Sequence, residues 1–317
     1  MLFRRLLSSP RFGLPVRRPN RRPAVAAAVV AVAVTVSGCT ADQVEAPDDG
    51  VPGRLSVLSL GPVASWDPQR MTSAQDVAFA GRTFLRTLTA HPAGADAAAQ
   101  RDVVGDLATD AGTPDDSLKV WSFTLRSGTT WQDGSPVTCE DVRYGVSRSF
   151  AKPWADEGLN YPLAYLDIPR KADGTSTYAG PFDGATQSAF DKAVSCDGSK
   201  VTFRLSTPMV DFNEVVALPV FAPVKKTKDA REDGTYAVFS SGPYQLKDPW
   251  DPSSGGTFVR NPKWDKASDP IRRAEPDSIR YVEGIESQTA VQQVIDDQGE
   301  HRRSVTLDSA PPAMQQQ

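Results

Sequence analysis

The stretch VWSFTLRSGTTWQDGSPVTCEDV, residues 120–142, decides the fold. From Val120 to Arg126 apolar and polar residues alternate in the period of a half-buried strand. Gly128, Asp133-Gly134 and Pro136 then punctuate the chain where tight turns favour positive φ. Thr138, three residues before Asp141, supplies a capping residue for a helix running to about Phe150. A strand, a turn-rich link and a helix follow one another here, so neither an all-β nor an all-helical chain fits.

Working outward, a short apolar run from Leu55 to Leu60 between glycines predicts a buried strand, ended by Asp67-Pro68. Thr72 with Gln75 forms a capping-box pattern ahead of Val77, Ala80, Phe84 and Leu88, which predicts a helix over 73–89. Opening where the chain leaves a buried strand, that helix can present its first amides to a cleft, although the same pattern also fits a helix that only packs. Residues 152–188 are rich in Gly, Pro, Asp and Tyr and are expected to be surface connections with one short helix near 186–192. Strands are predicted at 200–206, 242–247, 257–260 and 278–283, and a last helix is capped by Ser287 with Ala290, Val291, Val294 and Ile295 on one face. Gly242 opens one of these strands.

The ends of the chain read differently. Residues 1–38 hold seven arginines and no acid, followed by an apolar run from Ala24 to Val34 that is too short for a permanent span. Ser37-Gly38-Cys39 completes a lipoprotein cleavage box, with Cys39 as the lipidated residue, and Arg4-Arg5 leaves twin-arginine export open. Residues 39–53 have the Asp, Pro and Gly content of a flexible tether. Beyond the leader 28 basic residues face 39 acidic ones, a net of −11, which argues against nucleic acid and against a basic membrane-binding face.

With Cys39 assigned to lipid, Cys139 and Cys196 remain for an oxidising compartment, and a disulfide is expected. Two free buried thiols or a metal pair are the alternatives, and the two histidines, His91 and His301, show no ligand spacing. No nucleophile elbow, phosphate loop, zinc-protease motif or C-x-x-C is present, so no catalytic residues, cofactor or metal are expected.

Several segments, taken in order, resemble the family 5 extracellular solute-binding proteins, the oligopeptide and dipeptide receptors of ABC importers. They are Ser65-Trp66-Asp67-Pro68, the 120–142 stretch with its LRSG and DGSPVT wording, Val201 to Leu205, Ser241-Gly242-Pro243-Tyr244 and Arg260-Asn261-Pro262-Lys263-Trp264. The resemblance implies an α/β fold, a periplasmic-binding-protein-like (type II) lobe with an inserted β-rich subdomain, the second lobe missing from a C-terminally truncated chain. It implies a first lobe from residues 54–90 and 200–298, the inserted subdomain at 91–199, and the start of the hinge and second lobe at 299–317. By the same resemblance a peptide or similar solute is held between two lobes, ABC permease subunits are the partners, and the receptor is a monomer tethered by lipid on the outer face of the membrane. The ligand-lining residues it carries over are Thr72, Ser73, Ala74, Ser241 and Gly242, with Tyr161 or Tyr165 from the subdomain. The competing readings are a non-transport scaffold lipoprotein on the same fold and a secreted hydrolase.

Overall fold

A computed structural model describes residues 53–94, 97–182, 187–298 and 302–314; the leader, Cys39, most of the tether and His301 lie outside them. The chain enters through β1 (Arg54–Leu58) and α1 (Ala74–Thr83), then a ribbon of β2 (Thr89–Ala90) and β3 (Val104–Gly105). β4 (Thr113–Pro114), β5 (Val120–Thr124), α2 (Cys139–Arg148), α3 (Trp154–Glu157), α4 (Tyr161–Tyr165) and α5 (Gln187–Ala193) follow. The rest comprises β6 (Val194–Asp197), β7 (Lys200–Arg204), α6 (Phe212–Val215), β8 (Tyr244–Leu246), β9 (Gly256–Arg260), β10 (Ser278–Val282), α7 (Ser287–Asp296) and β11 (Ser304–Thr306).

Two sheets organise these elements. The first has the order β11-β1-β10-β9-β8, with β1 parallel to both β10 and β11, and β9 antiparallel to β10 and β8. Because side chains alternate along a strand, the register Val57↔Tyr281 and Leu58↔Val282 sends one pair to each face. Val57 and Tyr281 join Phe258, Ile279 and the α1 residues Phe79 and Ala80 in an aromatic core, while Leu58 and Val282 meet Ile285 and Ala290 under α7. Burial on both faces is what a parallel pair requires. Trp66 fills the middle of the aromatic core, with ring centroids at 5.1 Å from Trp250, 5.4 Å from Phe84 and 5.6 Å from Phe79.

The second sheet is antiparallel, β4-β5-β7-β6, and its inner face carries Trp121, Phe123, Val201 and Phe203. Its third strand is β7, so the strand pairing runs past the boundary expected at residue 199. In the same way β11, from the stretch expected to begin a second lobe, pairs with β1 in the first sheet. Thr138 caps α2 in a reciprocal box, its hydroxyl accepting from the Asp141 amide while the Asp141 carboxylate takes the Thr138 amide. A disulfide joins Cys139 at the start of α2 to Cys196 in β6.

Several local expectations are corrected. α1 stops at Thr83 rather than Thr89, because the Phe84 carbonyl accepts the Ser241 and Gly242 amides, both at 3.1 Å, and Arg86 turns inward to Asp106. Its cap is Ser73 rather than Thr72, and the cap of α7 is Glu286 rather than Ser287, since these residues hold the extended backbone and accept the N3 amide. In α7 only Ala290 and Val291 are buried, and Ile295 is exposed. Residues 152–188 are more than surface connections: α3 and α4 form there, and Trp154, Leu166 and Tyr178 enter the cores. No helix among the described residues is long and apolar enough to cross a membrane.

Two buried ion clusters bind the parts together. Arg148 on α2 reaches Asp67 through two hydrogen bonds of 2.8 and 2.6 Å and lies 3.1 Å from Asp229, with all three side chains nearly sealed from water. Arg86, Asp106, Asp269 and Arg272 form a neutral quartet of fully buried groups linking the end of α1 to the loop before β10. Burial pushes the Asp269 carboxyl up, but Arg272 and Arg86 override this and bring it down to about 2.

Candidate functional site

In open α/β sheets the loops at the carboxyl ends of parallel strands converge on one crevice. Here the carboxyl ends of β1, β10 and β11 share one edge of the first sheet. The loop from Ser59 to Ser73, the turn Glu283 to Glu286 and the segment after Thr306 all leave from that edge. They are stitched together: the Ser59 amide donates to the Val282 carbonyl at 3.0 Å, the Ile285 amide to the Ser59 carbonyl at 3.1 Å, and the Leu60 amide to the Asp308 carboxylate at 2.7 Å. The Val63 amide donates to Glu283 at 2.5 Å, and the adjacent Ala64 amide is held by Asp76 in the first turn of α1. Burial pushes both the Asp76 and the Glu283 carboxyls up, and the charges of Asp76 and Asp251 raise Glu283 further.

This floor holds a short open rim. Thr72 is exposed, sits in non-helical backbone directly before α1, and neither its N–H nor its C=O has a hydrogen-bond partner among the described residues. Leu60, 51% exposed, stands on the same edge. α1 and α7 both open here, at Ser73 and Glu286, so two sets of helix N-terminal amides face the rim. Free main-chain groups beside an apolar side chain can pair an extended ligand as an added strand pairs a sheet edge.

The nominated residues separate into three groups. Thr72, Ser73 and Ala74 lie together on this rim. Ser241 and Gly242 sit at the other end of α1, roughly 15 Å away for a helix of this length. They are buried, and both amides are spent on Phe84. A Cβ on Gly242 would come within 2.5 Å of the Thr83 carbonyl oxygen, so this glycine permits close packing against α1. Tyr161 and Tyr165 form a ring pair at 5.7 Å on α4, with Tyr165 packed against the core of the antiparallel sheet.

Sequence reading missed Glu283, Asp308 and Leu60. The available signal was positional: Glu283-Gly284 and Leu60-Gly61 each terminate an apolar strand pattern, where a parallel strand gives way to its crevice. Among the described residues no group of three His, Cys, Asp or Glu side chains gathers as a metal site.

Residues 102–316 match the family model described as bacterial extracellular solute-binding proteins, family 5 Middle. The periplasmic oligopeptide-binding protein OppA of Salmonella typhimurium is 29% identical over 163 residues, covering 49% of this chain and 28% of the relative. The oligopeptide-binding protein OppA of Bacillus subtilis is 29% identical over 159 residues, 47% of this chain and 26% of the relative. Of solved structures, clavulanic acid biosynthesis oligopeptide binding protein 2 shares 32% identity at a TM-score of 0.68, over 77% of this chain and 42% of that one. The Escherichia coli murein tripeptide binding protein MppA, at 20% identity and a TM-score of 0.61, covers 83% of this chain and 47% of its own and shows the same fold. The chain thus spans less than half the length of these structures, and the matched part little more than a quarter of the curated relatives.

Proposed function

The chain belongs to the family 5 bacterial extracellular solute-binding proteins, and from that premise we propose that it captures peptides for an ABC importer. The ligand lies extended along the rim formed by Thr72, Ser73 and Ala74, and an opposing wall outside the described residues closes over it by hinge motion. The observation that carries this reading is Thr72, an exposed residue whose main-chain N–H and C=O have no partner among the described residues, at the carboxyl edge of parallel strands. Main-chain pairing recognises any peptide without regard to side chains, which suits a receptor of broad specificity. Lipidation at Cys39 tethers the receptor outside the membrane as a monomer, and permease subunits receive the ligand from it.

Calorimetric titration of the full chain with a mixture of tripeptides tests the reading. Saturable heat is expected, with Kd on the order of 1 mM or tighter. Thr72→Pro, which removes the donor without touching a buried group, should weaken binding about tenfold. Equal binding by that variant, or no heat with folded wild-type chain, overturns the proposal.

A further inference from the structure

A cavity of about 180 Å³ lies where the two cores meet. Trp66 and Phe84 reach it from the aromatic core of the first sheet and Trp131 from the core of the second, with the Phe239 ring 5.5 Å from Trp131. Its size is comparable to a cavity of roughly 150 Å³ that accepts benzene. The lining is mostly apolar, as small-ligand sites are, with a few polar groups left to orient the occupant.

The polar groups left free among them are donors. Asp67 and Asp229 are also in the wall, but both lie on Arg148, so that cluster keeps a net charge of −1 and the two lysines of the wall leave it with a net of +1. Lys225 and Lys228 are also in the wall, and among the described residues neither forms an ion pair within 4.0 Å; Lys228 stands 5.7 Å over the Phe239 ring. Asp133 is near both lysines, exposed, and already accepts the Ser135 amide and hydroxyl. The indole N–H of Trp66, a fully buried wall residue, has no acceptor among the described residues. An aromatic wall with two ammonium groups and an unfilled donor is complementary to an anion carrying a flat apolar body.

We propose that this cavity is a second binding site, for a small monocarboxylate with a planar apolar body. The ring lies among Trp66, Phe84, Trp131 and Phe239, and the carboxylate meets Lys225 and Lys228. No wall residue is shared with the rim at Thr72, so the inference stands apart from the peptide reading. Because the walls come from both cores, an occupant joins them and should stabilise the chain as a whole.

Phenylacetate titrated into the full chain, followed by Tm and by tryptophan fluorescence, is the test. A saturable rise in Tm is expected, with Kd on the order of 1 mM that weakens as salt screens the lysines. Changing Lys225→Ala together with Lys228→Ala, two side chains at the mouth, should weaken binding about tenfold, and 2-phenylethanol should bind wild type about as weakly. Val224→Phe, which fills the cavity, should abolish binding; if that variant fails to fold, the lysine variant decides. No saturable response from folded wild type overturns the proposal. So does binding that ignores both the lysines and the carboxylate.

Discussion

Arg148→Met isolates what the buried charge on α2 does. Arg148 is 3% exposed, grips Asp67 at 2.8 and 2.6 Å, lies 3.1 Å from Asp229, and places its guanidinium 4.7 Å from the Trp154 ring centroid. Methionine keeps most of the aliphatic stem and a favourable sulfur–aromatic contact, so little cavity opens. The loss is electrostatic: two buried carboxylates are left without their cation. Removing one partner of a buried pair costs about 3–5 kcal/mol, a large part of the roughly 5–15 kcal/mol that holds a domain folded. For a chain of this size that corresponds to a fall in Tm of about 8–15 °C. Urea unfolding at pH 7, read by fluorescence and far-UV circular dichroism, measures the difference while the m-value checks that two-state behaviour is kept. Lys152→Met serves as the control, because its pair with Asp156 at 3.6 Å leaves the two side chains 85% and 60% exposed and an open pair of this kind contributes less than about 1 kcal/mol. Adding Asp67→Asn and Asp229→Asn to Arg148→Met should recover more than half of the loss, since no uncompensated charge remains. A loss below about 1 kcal/mol for Arg148→Met, or no recovery in the triple variant, refutes the reasoning.

Other expectations follow from single contacts. Gly242→Ala should destabilise by about 1–3 kcal/mol, because the new methyl meets the Thr83 carbonyl at 2.5 Å; denaturant unfolding measures this, and peptide affinity should not change. Replacing Cys139 and Cys196 by serine should cost about 4 kcal/mol in the chain-entropy view of a bridge spanning 57 residues, seen as a lower urea midpoint that reductant lowers no further. Asp269 has a depressed folded pKa of about 2, so its contribution, about 2 kcal/mol, is fully present above the unfolded value near 3.8 and is lost as pH falls toward 2. Asp76 and Glu283, raised by burial, act in the opposite sense and favour the fold as pH falls through their own titration. Thermal unfolding of wild type and Asp269→Asn should therefore differ by a constant amount above about pH 4 and converge only as pH falls from there toward about 2.

The sequence was most readable where local signals and tertiary packing agree. The Thr138–Asp141 box, the Gly128 and Gly134 turns, with φ of 80° and 84°, and the alternation of β5 and β7 each act within a few residues, and the structure retains them. Long-range contacts overrode the rest. The helical spacing through Leu88 continues beyond Thr83, yet Phe84, Leu85 and Arg86 are claimed by Ser241, Arg272 and Asp106, which are distant in sequence. In residues 152–188 the apolar positions are too sparse to show a period, although Trp154 and Tyr178 are buried. Of the nominated ligand residues only Thr72, Ser73 and Ala74 share a rim. Which end of α1 a glycine meets is set by the strand order β10-β9-β8, and no linear motif carries that information.

The rim itself is best probed by backbone amide NMR of the chain titrated with trialanine. The Thr72 amide should shift and become protected from hydrogen exchange in a saturable way, along with its neighbours Ser73 and Ala74. Saturable peptide shifts elsewhere with Thr72 unmoved and still fast to exchange would contradict the claim that this edge takes the ligand's main chain.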